Sequence, residues 1–342
     1  MNSKVIKFVA GGGKTTESIK ILANNKNGLY LAFTNSVVSD IKNKGYLSKT
    51  IDSLFEGFII PKFTSVVPLI SSGAKICYRV SDEKSFFKGI GNIKINKDGT
   101  ICNKSKKTVI NMKLENSDLF KMKKFTNDVF IKLIFSETSL NINDQHRAEI
   151  SSYLINNYPK EIVEILRNRF SYIIIDEAQD LKDFREEFAR LIFSSEINLF
   201  LLGDELQNIN GGGTWFGNLD SNVVKKVSYR CPENLCKWIR DNLKIEIYGN
   251  KDFGEYIKID YNDVLNYDNE SRVLLYNSNI GKNTEIISKW KGPKDTIKKA
   301  KGRTIKEDIV IIGETLNRKN LYTAITRTKK NAFSTINKIT LT

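Results

Sequence analysis

The sequence predicts an α/β chain of two lobes built on parallel sheets, with a small inserted subdomain in the first lobe, and three observations carry that prediction. Tyr172-Ile173-Ile174-Ile175 is an unbroken apolar run ending at Asp176-Glu177-Ala178-Gln179-Asp180. A short run of that kind reads as a strand buried on both faces, as in a parallel sheet. Near the amino terminus, Lys4–Val9 reads as a strand that passes through a glycine turn into a helical stretch ending at Leu22. Strand and helix texture then comes in two blocks, joined near residue 218, as expected of two similar lobes with a cleft between them.

Taken in chain order, the glycine turn is Ala10-Gly11-Gly12-Gly13-Lys14-Thr15-Thr16. Glycines let backbone amides and a helix amino terminus approach phosphates closely. Lys14 is then placed to reach β- and γ-phosphates, and the Thr15 hydroxyl to ligate Mg²⁺. The full pattern G-x-x-x-x-G-K-[ST] is not met, because Phe8 stands where its first glycine would be. A second strand follows over Gly28–Asn35, then a helix, then Thr50-Ile51-Asp52-Ser53-Leu54-Phe55.

From about Pro61 to Pro159 the texture changes. Lysines crowd between Lys75 and Lys132, and Ile93–Ile101 reads as a hairpin turning at Asp98-Gly99. Strand texture returns at Tyr172–Ile175 and at Asn198–Leu202, the latter closed by Gly203-Asp204-Glu205-Leu206-Gln207. Beyond Gly217, Arg272–Tyr276 and Asp308–Ile312 are the clearest strands of the second block. The expected division is therefore residues 1–60 with 160–218, an insert over 61–159, and a second lobe over 219–342.

Lys and Arg number 54 against 39 acids in 342 residues, a formal charge of +15. That excess fits a polyanionic partner, nucleic acid before membrane; a composition rich in Lys, Asn and Ile from an AT-biased genome produces it as well. The cysteines Cys77, Cys102, Cys231 and Cys236 form no C-x-x-C pair, and His146 is the single histidine. A structural zinc site and a histidine-based nucleophilic triad are thereby disfavoured, and reduced thiols are expected. No apolar run approaches transmembrane length, and the short stretch before the first strand leaves no room for a signal peptide. The expectation is an intracellular protein, cytoplasmic or nuclear, with no membrane partner and not secreted.

The adjacent acids Asp176 and Glu177 sit at the carboxyl end of a buried strand, where open α/β sheets bind ligands. One acid can hold Mg²⁺ while the next accepts a proton from water. With the glycine turn upstream, these residues describe a nucleoside triphosphate site.

The motifs then fall in the order of a known family. Ala10–Thr15 resembles a Walker A loop and Asp176–Asp180 a Walker B segment. Between them lie Leu31-Ala32-Phe33-Thr34-Asn35 and Thr50-Ile51-Asp52-Ser53. Gly203–Gln207, Ser228-Tyr229-Arg230-Cys231-Pro232, Thr296–Thr304 and Tyr322–Lys330 follow. This series resembles the superfamily 1 helicases, UvrD/Rep-like in its first half. The resemblance implies two RecA-like P-loop NTPase lobes, with ATP and Mg²⁺ as cofactors. Ala10, Gly11, Gly12, Gly13, Lys14, Thr15 and Thr16 would bind the nucleotide, and Thr15 with Asp176 the metal. Glu177 would orient and deprotonate water, Gln207 would sense the γ-phosphate, and Arg230 and Arg327 would act as arginine fingers across the cleft.

Some residues depart from the pattern. Asp52 replaces the histidine of the T-x-H-S element, and Gly302-Arg303-Thr304 replaces Gly-Leu-Glu and resembles the viral and 5′→3′ branches instead. The start of the chain offers no counterpart to the adenine-recognising glutamine. About sixty residues separate the fourth and fifth motifs, too few for a large inserted 2B domain.

Single-strand tracks combine basic grooves with aromatic platforms. Phe33, Thr34, Asn35, Thr50, Trp215, Phe216, Thr296, Lys298 and Lys301 are the candidate contacts. Phe33 fits a core position equally well, and the run of Lys298, Lys299, Lys301 and Arg303 reads nearly as well as a solvated loop. The expected activity is an ATP-dependent helicase or translocase on single-stranded nucleic acid or a tailed duplex, DNA favoured over RNA, with replication or repair proteins as further partners. A translocase that does not unwind, and a binding module with a degenerate ATP site, stay open as alternatives.

Overall fold

A computed structural model describes residues 3–24, 27–63, 142–209, 211–250, 253–268, 271–277 and 281–340, together with the short strand segments 76–77, 93–95, 100–103 and 108–113. The described residues gather into two units, one within 31–171 and 182–197, the other within 2–30, 172–181 and 198–342. The fold is α/β with parallel sheets, as the apolar runs predict.

The second of these units contains two parallel sheets. In the first sheet, Lys4–Phe8 lies between Val223–Lys225 and Asn198–Gly203, all parallel. Asn198–Gly203 in turn pairs with Tyr172–Ile175, and the opening residues of the Gly28–Ala32 strand follow. Tyr172–Ile175 is buried at every residue, which is why it reads as a continuous apolar run and not as an alternation. The second sheet runs Tyr256–Lys258, Ala332–Ser334, Ile309–Ile312, Val273–Tyr276, Lys294–Thr296, again all parallel. Its central strand Ile309–Ile312 is likewise buried throughout. The helices Glu233–Leu243 and Arg318–Ile325 contribute Leu235, Cys236, Ile239, Leu321 and Ile325 to the core on one face of this sheet. Cys231 and Cys236 are free, buried thiols.

The other unit is held by helices. Thr50 caps Ile51–Leu54, its hydroxyl accepting from the Ser53 amide at 3.0 Å while the Ser53 hydroxyl accepts from the Thr50 amide. Phe55 packs edge-on against Phe184 and Phe188 of helix Asp183–Phe193. Asp52 accepts from Arg185 through both carboxylate oxygens and from Arg147, so the residue that departs from the T-x-H-S pattern anchors two helices. Ile93–Ile95 pairs antiparallel with Thr100–Asn103, Ile95 opposite Ile101, and Thr108–Lys113 adds a third strand. The expected turn at Asp98-Gly99, most of the lysine-rich stretch, and the side chains of Cys77, Cys102 and His146 lie outside the described residues. Among the described residues no helix is long and apolar enough to cross a membrane.

Candidate nucleotide site

Three neighbouring strands of the first sheet end at the same edge. Lys4–Phe8 runs into the glycine turn, Tyr172–Ile175 into Asp176, and Asn198–Gly203 into Asp204. Helix Lys14–Asn24 starts directly at Lys14, so the amides of the turn and the positive end of a helix face one point. Gly11 has φ +73°, and a Cβ there would come within 2.7 Å of the Arg230 Cβ and 2.8 Å of the Ser228 Oγ. A side chain is thus excluded on two grounds, and bare backbone is what the turn offers. Thr15 and Thr16 are exposed, with hydroxyls available to a ligand.

Lys14 is half-buried and its Nζ lies 3.1 Å from the Glu177 carboxylate. Burial alone pulls the Lys14 ammonium down, but Glu177, Asp176 and Asp204 outweigh it and hold its pKa above the ordinary value. For Glu177, burial pushes upward, yet the ammoniums of Lys14 and Lys301 and the Gln179 amide bring its pKa to about 2. Asp176 shifts the other way: burial and the adjacent Glu177 charge raise it, against Lys14 and the Tyr30 hydroxyl. Tyr30 donates to Asp176 Oδ2 at 2.5 Å. The adjacent acids are therefore electrostatically unlike, which is the separation that different roles require. Glu177 also adopts the left-handed region, φ 53° and ψ 39°, at a cost of roughly 1–2 kcal/mol for a residue with a Cβ.

Asp204 is the hub of a second layer. It accepts from Gln207 Nε2 at 2.6 Å, from the Leu206 amide at 3.1 Å and from the Tyr322 hydroxyl at 3.1 Å. The Tyr322 hydroxyl in turn accepts from the Ala10 amide at 2.8 Å. Gln207 Oε1 accepts from Arg327 at 2.9 Å, and Gln179 joins both layers, donating to Glu177 at 2.5 Å and accepting from the Asp204 amide at 3.0 Å. Arg327 is fully buried, and burial together with the nearby Arg230 charge lowers its pKa to about 10. Arg230 donates to the Thr326 carbonyl at 3.2 Å. Tyr229 is 70 % exposed, and its ring is what a methyl on Gly13 would touch.

Lys14, Asp176, Glu177, Gln207, Arg230 and Arg327 are thus brought together around Ala10–Gly13 in one unit. Trp215 and Phe216 are buried, Phe216 packing close to Gly203. Thr296 caps the short helix Ile297–Ala300, Lys298 is exposed, and Lys301 is turned inward onto Asp180. In the other unit, Thr34 and Asn35 are exposed at the start of helix Asn35–Asn43, Phe33 is half-buried and Thr50 is spent on its cap. Sequence reasoning missed Tyr30, Gln179, Asp180, Asp204, Tyr229 and Tyr322. The signal for Asp204 was present, since it ends a buried strand as Asp176 does. Tyr30 and Tyr322 sit in apolar segments, where only the need of a buried hydroxyl for a partner hints at a polar role.

The residues fit a magnesium nucleotide. Among the described residues no group of His, Cys, Asp and Glu side chains makes a metal site by itself. Mg²⁺ takes one or two carboxylates and otherwise phosphate and water, and the strand-end Asp176 and the exposed Thr15 hydroxyl are donors of that kind.

Residues 71–211 match the UvrD/REP helicase N-terminal domain family. The RecBCD enzyme subunit RecB of Borreliella burgdorferi is 26 % identical over 164 residues. The chain resembles the superfamily 1 helicases. That RecB match takes in 44 % of this chain and 14 % of RecB. Two solved structures of the arterivirus helicase nonstructural protein 10, one of them a complex with DNA, align with 97 % of the chain at 14 % identity, with TM-scores of 0.48 and 0.47. The chain spans 59 % and 60 % of those proteins. The helicase resemblance thus rests on a family model and a sequence relative.

Proposed function

We propose that this chain is a superfamily 1 motor that hydrolyses Mg-ATP and couples hydrolysis to movement along single-stranded nucleic acid, DNA in preference to RNA, and to duplex unwinding. The observation that carries the reading is the hydrogen-bond network that links Lys14, the strand-end acids Asp176 and Glu177, Gln179, Asp204, Gln207 and Arg327. In this reading residues 1–60 and 160–218 form the first lobe, 61–159 an insert and 219–342 the second.

Phosphoryl transfer needs positioning and charge stabilisation more than covalent chemistry. Lys14 would bind phosphate oxygens, and Thr15 and Asp176 would hold Mg²⁺, which would supply neutralisation of phosphate charge. Glu177 is ionised over the whole physiological range and accepts the proton of the attacking water. Lys14 and Glu177 pair with each other here, so phosphate binding exchanges the ammonium's partner and frees the base. Gln207 reads the γ-phosphate, and Arg327 and Arg230 offer guanidinium forks to the spreading charge. Tyr229 offers an exposed aromatic face for the nucleobase. Thr34, Asn35 and Lys298, all exposed, remain the best-placed track contacts among the residues named from sequence.

The test is ATP turnover by the purified protein, with and without single-stranded DNA and RNA, with Lys14→Ala as the blank. Stimulation by one polymer, absent from the variant, supports a motor and names its track. Separation of a tailed duplex supports unwinding, whereas stimulation without separation leaves a translocase. No turnover under any of these conditions overturns the reading in favour of a binding module.

A further inference from the structure

We propose that Lys301 is a positioning residue for hydrolysis, a staple between the turn that carries Glu177 and the loop that carries Gln207, and not a contact to the nucleic-acid track. The inference rests on the ATPase reading above.

Burial sets Lys301 apart from its basic neighbours. Lys298 and Lys299 are exposed, and the Arg303 side chain is 59 % exposed, paired with Asp295. The Lys301 side chain is 7 % exposed and Asp180 opposite it 12 %. An ammonium has three donors and no acceptor, and all three of Lys301's are matched. It meets Asp180 Oδ1 at 2.7 Å, Asp180 Oδ2 at 2.6 Å and the main-chain carbonyl of Gln207 at 2.6 Å. Bonds of that length to a carboxylate are the strong, charge-assisted kind. A phosphate of a passing strand would find no N–H left to accept from.

The acceptors belong to loops at the ends of paired strands. Asp180 closes the turn Ala178–Asp180, its amide donating to the Glu177 carbonyl at 2.8 Å. That turn holds Glu177 in its left-handed conformation, which costs energy and persists only where surroundings over-determine it. On the other side the turn is clamped by the loop Gly211-Gly212-Gly213. The Gly213 amide donates to the Leu181 carbonyl at 2.6 Å, and a Cβ on Gly212 would come within 2.4 Å of the Gln179 carbonyl oxygen. Lys301 completes the clamp and reaches to Gln207, so the water-orienting carboxylate and the phosphate-reading amide are fixed in one frame. Lys301 itself ends the helix Ile297–Ala300, next to the exposed Lys298 and Lys299. A displacement of that basic segment is thereby transmitted to both loops.

The test compares wild type, Lys301→Met, Asp180→Asn and the double variant for Mg-ATP turnover, and for affinity toward a fluorescent single-stranded oligothymidylate without nucleotide. Displacing a catalytic group by an ångström costs up to about 100-fold, so kcat of Lys301→Met should fall about 10- to 100-fold with KM for Mg-ATP and oligonucleotide affinity unchanged. Because each residue acts through the other, the double variant should be no slower than the slower single variant. It leaves no unpaired buried charge, so it serves where a single variant fails to fold, and its own kcat loss is then the readout. Lys301→Met with unchanged kcat and weakened oligonucleotide binding would overturn the proposal in favour of a track contact, and additive losses would overturn the staple. Wild-type protein without turnover fails the ATPase reading itself. Wild-type turnover that the variants leave intact fails this proposal alone.

Discussion

Two parallel sheets in the same unit are built alike and end differently. Each has a central strand of four fully buried residues, Tyr172–Ile175 in one and Ile309–Ile312 in the other. In the first sheet the strands open into Lys14 and its glycine turn, Asp176 with Glu177, and Asp204. In the second, Ile309–Ile312 and Ala332–Ser334 end in Gly313 and Thr335, which hydrogen-bond each other, Thr335 Oγ1 accepting from the Gly313 amide at 3.0 Å and donating to its carbonyl at 2.8 Å. Those ends are closed and neutral. What residues 219–342 contribute to the site is cations and hydroxyls: Arg230, Lys301, Tyr322 and Arg327. The acids and Lys14 come from one sheet and the remaining cations from the other block, so architecture alone assigns nothing and the strand ends decide.

The sharpest way to break that comparison is to remove the buried guanidinium that meets Gln207. Arginine fingers are worth about 10³–10⁵ in kcat, and Arg327→Ala should lose turnover on that scale in a steady-state assay. Arg327→Lys should recover little of it, because a point charge cannot serve both the Gln207 amide oxygen, bonded at 2.9 Å, and phosphate oxygens. Recovery by lysine to near wild-type rates would show that charge, and not the fork, matters.

Removing the base from the acidic side should cost somewhat less. Glu177→Gln keeps shape and hydrogen bonding and should lower kcat by about 10²–10⁴, the usual range for general base catalysis, while ATP still binds. A variant that hydrolyses at the wild-type rate would move the base elsewhere.

Tyr322 joins both sides, accepting from Ala10 and donating to Asp204. Tyr322→Phe leaves the Ala10 amide buried without its acceptor, which costs about 1–3 kcal/mol. For a chain of this size that lowers the melting temperature by about 1–4 °C, at roughly 1.4 °C per kcal/mol. An unchanged melting temperature would mean the hydroxyl is dispensable to the frame.

The unequal legibility of these features has a physical basis. Buried strands and the glycine turn write themselves into local sequence, because a strand covered on both faces must be apolar along its length and a backbone that approaches phosphate must lack side chains. Lys14, Asp176, Glu177 and Gln207 were legible for that reason, each standing at the end of such a run. Tyr30, Tyr322 and the Asp180–Lys301 pair were not, because their roles depend on partners 118 to 312 residues away along the chain. Lys301 sits in a basic run that reads as solvated, and only the folded chain shows which lysine of that run is turned inward.

The smallest effect tests the pairing of Lys14 with Glu177. Burial works against the Glu177 carboxylate, yet Lys14 and Lys301 hold its pKa at about 2, below the ordinary 4.5. A depressed carboxylate pKa contributes stability that is present above the ordinary value and lost as pH falls through the folded one. The raised pKa of Lys14, from 10.5 upward, contributes stability present below 10.5 and lost above the folded value. The pair is therefore fully formed between about pH 5 and pH 10. Urea unfolding of wild type and Lys14→Met, followed by tryptophan fluorescence, should show its widest stability gap in that window. The gap should narrow as pH is taken from about 5 toward 2, where Glu177 of the wild type is about half protonated. A gap that stays constant down to pH 2 would mean Lys14 stabilises the unit through packing of its methylenes and not through Glu177.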